Sequence, residues 1–376
     1  MDLGMDTART WAEIDLGALK HNLDIAKRTG KKVMCVIKAD AYGHGAVRCG
    51  LFLEQNGADA FAVACLAEAV ELREAGITLP ILILGYTSHR FAGELAKYDL
   101  TQTAVDEQAA LEMSEAAKAA GVTVDMHIKL DTGMSRAGLF AQGREAAKNA
   151  ADAAMRMMEL ENLNFTGMYT HFSVADTPAE DEYTAWQLEN YMTVLDILTQ
   201  NGKRPKVCHT SNSASIMDHP ENHIDMVREG IMLYGMYPDS APGARGLEPV
   251  MTLKTRVSQV RELPKGATIS YGRTFKAGRD MLCAVMTAGY ADGYPRRLSG
   301  QTYVVINGKK YPQVGRICMD MAMADVTFGD VKRGDEAVLF GRGGISLEEV
   351  SGVVGTINYE ITCLVTARAR RVYING

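Results

Sequence analysis

Lys38 ends the apolar run Val33-Met-Cys-Val-Ile-Lys38, and the turn Ala39-Asp-Ala-Tyr42-Gly43-His44-Gly45-Ala46 follows it. An apolar run of this length reads as a buried strand. A lysine at its end is either a rim residue reaching water or an amine held in a partly dry site. A desolvated amine has a lowered pKa and can attack a carbonyl, including that of an aldehyde cofactor. Other ionisable residues close similar runs: Asp131 to Arg136, Thr170-His171 and His209 to Ser213, with Arg228 inside another. In Val124-Asp-Met-His-Ile-Lys-Leu-Asp131, strand alternation gathers Asp125, His127, Lys129 and Asp131 on one face. That face is either the wet side of an edge strand or a polar wall inside a site, with Arg136 on the next loop as its partner.

Ser211-Asn-Ser-Ala214 and Arg228-Glu-Gly-Ile231 offer hydroxyls and backbone N–H groups. Loops after the last two strands of a barrel often hold a phosphate, although a capping serine and a turn glycine are the plainer reading. A lysine at the first strand with a phosphate cradle at the last two suggests pyridoxal 5'-phosphate, which needs both. Arg228 would suit the pyridine nitrogen. A permanently charged arginine there keeps the nitrogen unprotonated and the ring a weak electron sink, which favours moving a single proton.

The elements that must position these residues are short strands separated by helical segments. Strands are expected at Val33–Lys38, Ala60–Leu66, Ile81–Tyr86, Leu100–Val105, Val124–Leu130, Phe165–His171, Lys206–His209 and Met226–Tyr234. Eightfold strand–helix alternation predicts an α/β fold, a (β/α)8 TIM-type barrel. A doubly wound open sheet competes, but Ala41-Tyr-Gly-His-Gly-Ala46 lacks the GxGxxG spacing. The turn-forming cluster Pro238–Gly246 marks a boundary, giving a barrel domain over 1–242 and a mostly-β C-terminal domain over 243–376. The later part adds strands at Val250–Val260, Met281–Ala288, Tyr303–Ile306 and Asp335–Phe340, and a final helix from about Ser346.

The chain has 376 residues, 47% of them hydrophobic, and a formal net charge of -6. With no basic tract, this excludes a nucleic-acid-binding surface. Apolar runs such as Leu79–Gly85 are too short to span a bilayer, and the first ten residues lack the apolar stretch of a secretory signal. Seven cysteines without a CxxC pair read as buried thiols in a reducing compartment, and no metal site is expected. A soluble, cytoplasmic protein is anticipated.

The chain resembles the bacterial alanine racemase family, which are fold-type III pyridoxal-phosphate enzymes. The resemblance rests on Val36-Ile-Lys-Ala-Asp-Ala-Tyr-Gly-His-Gly-Ala46, Lys129-Leu-Asp-Thr-Gly-Met134, Thr170-His-Phe172, Asn212-Ser-Ala214, Ser270-Tyr-Gly272, Gly289-Tyr-Ala-Asp-Gly-Tyr294, Gly315–Asp320 and Tyr359-Glu360. It implies that Lys38 bonds the cofactor aldehyde and acts as base for one enantiomer. Tyr271, from the other subunit of a homodimer, would be the opposing base. Arg228 would face the pyridine nitrogen, and His171 would bridge Arg228 and Tyr271. Tyr42, Ser213, the backbone of Gly230 and Ile231, and Tyr359 would hold the phosphate. Arg136 would contact cofactor and substrate carboxylate, oriented by Lys129, a lysine often carbamylated in this family. Met319 and Asp320 would line the substrate end. The implied activity interconverts L- and D-alanine and supplies D-alanine for peptidoglycan. A serine or broad-specificity racemase on the same fold is the nearest alternative, and a non-catalytic PLP-binding protein a more distant one. Ala137 and Met321 replace the leucine and glutamine usual in the family, which bears on substrate preference.

Overall fold

A computed structural model describes residues 9–238 and 245–376. The signal-sequence reading of the N-terminus and most of the Pro238–Gly246 cluster therefore lie outside the described residues. The described chain divides into two compact units. One comprises residues 22–41 and 46–233; the other comprises residues up to 21, 42–45 and 234 onward.

The first unit is the anticipated barrel. Its eight parallel strands are Lys32–Val36, Ala60–Val63, Ile81–Ile83, Leu100–Ala104, Val124–Asp131, Leu163–Tyr169, Val207–His209 and Met226–Glu229. Each pairs with the next as far as the seventh, and the eighth pairs with the first, Met226 opposite Lys32 and Glu229 opposite Cys35. Two backbone bonds link the seventh to the eighth, from Asp225 N to Cys208 O and from Arg228 N to Ser211 O, both 3.0 Å. Every residue of the second and third strands is buried, as expected where helices cover one face and side chains fill the other. The covering helices carry local signals. Asp106 caps Glu107–Ala120 by accepting from Ala109 N at 2.7 Å, and Gly121 ends that helix in the left-handed region. Alanines dominate the buried face of Arg144–Met157.

Most strand ends shift by one to three residues from expectation, and two of the shifts bear on the site. The first stops at Val36, and Lys38 opens a separate six-residue turn. The eighth stops at Glu229 and gives way to a short 3-10 turn, Ile231–Tyr234. Apolar composition continues past both ends, but the backbone there turns to serve the site. The edge-strand alternative for Val124–Asp131 is overturned, because that strand is paired on both sides.

In the second unit the thirteen-residue strand Met251–Leu263 is central. It pairs with Met281–Met286, with Glu336–Phe340 and with the N-terminal strand Thr10–Asp15. The last strand, Arg370–Ile374, runs parallel to Thr10–Asp15 on its other side. The units thus depart from the expected division at 242/243: they part at 233/234, residues 42–45 go with the second, and the N-terminal strand completes a sheet whose other strands follow residue 250. Sequence reading missed both of these strands. The helix expected from about Ser346 is Leu347–Val354, with Ser346 and Glu349 forming a capping box, but it is not the last: Asn358–Cys363 follows it. Among the described residues, no helix is long and apolar enough to cross a membrane.

Candidate active site

The turn after the first barrel strand is strained. Ala39, Asp40, Ala41 and Tyr42 all have φ of 51–53°, so Lys38–Gly43 winds as a left-handed helical turn. Each non-glycine residue in that region costs about 1–2 kcal/mol, so the surroundings must impose it. Glu68 does part of this. One carboxylate oxygen accepts from Ala39 N at 2.8 Å, the other from Ala64 N at 2.7 Å, clamping the first strand's turn to the second's. Asp40 accepts from Ala46 N at 2.7 Å and fixes the next helix. At Gly43 a Cβ would meet Thr362 O at 2.2 Å, so close backbone approach requires glycine there. Lys38 itself is half-buried.

The polar face of the fifth strand is indeed an interior wall. His127, Lys129 and Asp131 are buried, and Asp125 is half-buried. Burial, reinforced by the positive charges of Arg136 and Arg228, pulls Lys129 down to about 8. Asp131 does not bond that lysine. It accepts from Ser135 N at 2.8 Å and Gly133 N at 3.2 Å, shaping the loop that carries exposed Arg136.

Arg228 is the centre of the barrel interior. Its guanidinium donates to the carbonyls of Thr170 at 2.7 Å, Thr210 at 2.9 Å and His209 at 3.0 Å. It also reaches His209 Nδ1 at 3.1 Å and His171 Nδ1 at 3.3 Å. Burial lowers Arg228 only to about 10, so it stays charged at neutral pH. Arginine has no acceptor, so both Nδ1 atoms must be unprotonated and both imidazoles carry their proton on Nε2. Burial, helped by Arg228, drives both histidines well below their usual range, which agrees with neutral rings. Tyr169 stacks on His209 with centroids 5.0 Å apart and hydrogen-bonds Thr103 at 2.9 Å. The sequence reading included His171 and Arg228 but not the structural parts of His209, His127 and Tyr169. Their signal was alternation, because each sits on the inward face of a strand the reading had located.

Ser213 opens the short helix Ser213–Asp218, which Asn212 caps by accepting from Ser215 N at 3.0 Å. The capping residue is thus Asn212 and not the serine. Ser213 Oγ accepts from Gly230 N at 3.0 Å and Met232 N at 3.3 Å. The N–H of Gly230, expected to point at a phosphate, is engaged by that hydroxyl. Two accepted bonds fill both Oγ lone pairs, so Ser213 has only its O–H left to offer, as a donor.

The remaining candidates belong to the second unit. Tyr42 packs on Tyr234 and Tyr359, ring centroids 5.0 and 6.1 Å away. Tyr271 lies on a short turn in which Ser270, Gly272 and Arg273 all have positive φ, and it is 71% exposed. Met319 is 52% exposed, and Met321 and Tyr290 are exposed too. The loops carrying Tyr290 and Met319 are tied together by Tyr290 N to Cys318 O and Ala291 N to Met319 O, both 3.1 Å. Asp320 pairs with Arg368 at 2.7 Å, and Arg368 and Arg9 both reach buried Asp292, at 3.3 and 2.7 Å.

A (β/α)8 barrel with an amine just past the first strand, a fixed cation on the last and a serine hydroxyl after the seventh is an arrangement that a phosphate-bearing aldehyde cofactor would fit. The alanine racemase N-terminal domain matches residues 14–238 and the alanine racemase C-terminal domain residues 250–373. The chain belongs to the alanine racemase family. It is 42% identical over 374 residues to the alanine racemase of Methanococcus maripaludis, covering 97% of this chain and 98% of that one. It is 43% identical to that of Carboxydothermus hydrogenoformans, over 97% of this chain and 99% of the relative. The solved alanine racemase of Clostridium difficile 630 superposes with a TM-score of 0.92 at 39% identity, covering 98% and 96% of the two chains. The Bacillus anthracis alanine racemase with bound L-Ala-P gives 0.86 at 34% identity, covering 98% and 95%.

Proposed function

We propose that this protein interconverts L- and D-alanine by moving the α-proton between two bases, using pyridoxal 5'-phosphate. The observation that carries the reading is Arg228, a buried, charged side chain donating to His171 within the barrel. The local charge fits an anionic cofactor. His171 feels Arg228, Arg136, Lys129 and Lys38 together, and Asp131 is the carboxylate that bears on Lys129. Positive charge gathered in this way would be offset by a phosphate and a substrate carboxylate. The O–H of Ser213 is likewise available to an anion.

When bound, the cofactor supplies an aldehyde for the substrate amine and a ring that takes up electron density as the α-proton leaves. Lys38 would bond that aldehyde and exchange the proton on one face of the substrate. Arg228, unable to give up its own proton, would keep the ring nitrogen unprotonated and limit the chemistry to proton movement. The O–H of Ser213 and the N–H of Ile231 would hold the phosphate, Gly230 N being taken up by Ser213 Oγ, and Tyr42 and Tyr359 would add hydroxyls to it. Arg136 would bind the substrate carboxylate.

Racemisation also needs a base on the other face, and we assign it to Tyr271 of a second copy. An ordinary tyrosine costs about 4 kcal/mol to ionise at pH 7. His171, neutral with its proton on Nε2, is a donor suited to the resulting phenolate. The exposure of Tyr271, Tyr290, Met319 and Met321 suits a surface covered in a homodimer, with Met319 and Asp320 closing the substrate end. Lys129 at about 8 would be roughly one-tenth neutral at pH 7. Only the neutral amine takes up carbon dioxide, so carbamylation is chemically open to it, and a carbamate would give Arg136 an anion to pair with. All seven cysteines are free thiols, and we place the enzyme in the cytoplasm. D-alanine for peptidoglycan is the use typical of the family.

Chiral chromatography of L-alanine and L-serine, each incubated with protein and cofactor, tests the reading. Rapid equilibration of alanine with much slower serine is expected. Equal rates would move the function to a broad-specificity racemase. Turnover of neither by a cofactor-loaded protein would leave a carrier.

A further inference from the structure

Three strands of the barrel bring together a chain of side chains that ends on Arg228. His127 on the fifth strand lies opposite Gly167 on the sixth, and Tyr169, two residues on, lies opposite His209 on the seventh. His127 therefore has to cross the sixth strand to reach the seventh, and Gly167 lets it pass. A Cβ on Gly167 would stand 2.4 Å from His127 Nε2. With the path open, His127 Nδ1 comes within 3.1 Å of His209 Nε2. His209 Nδ1 in turn lies 3.1 Å from the guanidinium of Arg228.

The direction of every bond in this chain is forced from the arginine outward. Arg228 can only donate, so His209 Nδ1 accepts. His209 then carries its proton on Nε2 and donates it to His127, whose Nδ1 accepts. His127 keeps its proton on Nε2. Burial first, and then Arg228, holds His127 down to about 4, so a second proton does not break the sequence at neutral pH. Were His127 to carry its proton on Nδ1 instead, two N–H groups would face each other at 3.1 Å in a buried site. His209 would have to turn, and Arg228 would lose a side-chain acceptor.

We propose that His127 is a positioning residue: reaching across Gly167, it accepts from His209 and so locks His209 in the tautomer and orientation that seat Arg228. His171, the other imidazole on Arg228, faces the reaction; His127 closes the opposite end and touches neither substrate nor cofactor. The glycine at 167 belongs to the device, because any side chain there closes the path.

The direct test is NMR of the full-length, cofactor-loaded protein labelled with nitrogen-15 in its histidines. A scalar coupling across the hydrogen bond, from protonated His209 Nε2 to unprotonated His127 Nδ1, is expected. A His127 protonated on Nδ1, or no coupling between the two nitrogens, overturns the proposal. The kinetic arm rests on the racemase reading and on Arg228 facing the cofactor. Asparagine places an acceptor oxygen near the Nδ1 position; leucine fills the space without one. His127→Leu should lower kcat about tenfold, the loss expected from one unsatisfied buried donor, with KM for alanine little changed. His127→Asn should recover most of that loss. Asparagine as slow as leucine would mean that the acceptor is not what matters, and an unchanged kcat in His127→Leu would reduce His127 to a space-filling role; either removes the positioning role. The two readings fail separately: a wild-type protein that racemises nothing sinks the racemase reading, while the tautomers of His127 and His209 are read without turnover.

Discussion

The functional groups of the barrel and those of the second unit are finished to different degrees. In the barrel, Arg228, His209 and Lys129 are buried and His171 is half-buried, and the arginine bonds both histidines. In the second unit, Tyr271 and Met319 stand in solvent on turns that are held by backbone bonds but covered by nothing of their own. Burial is what shifts proton affinity, so the barrel's groups already have the protonation states that chemistry needs. Tyr271 is 71% exposed. The contrast teaches that one chain by itself prepares the cation and its neutral histidines, while the proposed role of Tyr271 would need a setting supplied by a second copy.

Removing the exposed base should break the comparison most severely. Tyr271→Phe keeps the ring and deletes the acid–base group, and loss of a positioned base costs about 10²–10⁴-fold. Racemisation should fall by that much while cofactor absorbance is retained. Exchange of the α-proton with deuterated solvent sharpens the result. It should persist for the enantiomer that presents its proton to Lys38 and vanish for the other. Equal residual exchange from both enantiomers would remove Tyr271 from the assignment.

A further prediction concerns Lys129. Its pKa is depressed to about 8 from the ordinary lysine value of 10.5, so the folded protein releases this proton earlier than the unfolded chain. Between about pH 8 and 10.5 the unfolded state holds more protons, and stability should rise with pH across that window. Below it both states are charged and the native state carries the full penalty, about 3 kcal/mol. Lys129→Met should therefore raise Tm at pH 7 in protein depleted of carbon dioxide, and should flatten the rise above pH 8. If wild-type protein instead gains stability from added bicarbonate and the methionine variant does not, the lysine is carbamylated, which carbon-13 labelling would show directly.

Much of this was legible in the sequence because period and placement carry it. All eight barrel strands were located, and alternation in Val124–Asp131 gathered the residues that form the polar wall. What alternation could not decide was whether that face is wet or buried, since the answer depends on pairing partners far along the chain. The left-handed turn at Lys38–Gly43 was hidden for a different reason. Ala39, Asp40, Ala41 and Tyr42 have no local preference for positive φ, and the conformation is imposed by Glu68 and by the approach of Thr362 to Gly43. The strand Thr10–Asp15 escaped notice because its partners, Met251–Leu263 and Arg370–Ile374, lie more than two hundred residues away. His209 and His127 were seen as residues but not as a chain, because nothing in sequence spacing records the passage across Gly167.

The smallest effect belongs to Ser213, and it tests the barrel half alone. Its Oγ accepts from Gly230 N and Met232 N, so the serine both shapes the turn after the eighth strand and presents its O–H outward. Ser213→Ala removes one hydrogen bond to a charged ligand, worth about 1.5–3 kcal/mol, and leaves two backbone N–H groups that a phosphate could take up instead. The two effects oppose each other. Cofactor affinity should fall, by about tenfold or less, with kcat at saturating cofactor nearly unchanged, as titration of the stripped protein with pyridoxal phosphate would measure. Pyridoxal lacking the phosphate should bind wild type and variant alike. An equal loss for both ligands would mean that the serine supports the turn and not the anion, and the phosphate would then have to be placed elsewhere in the barrel.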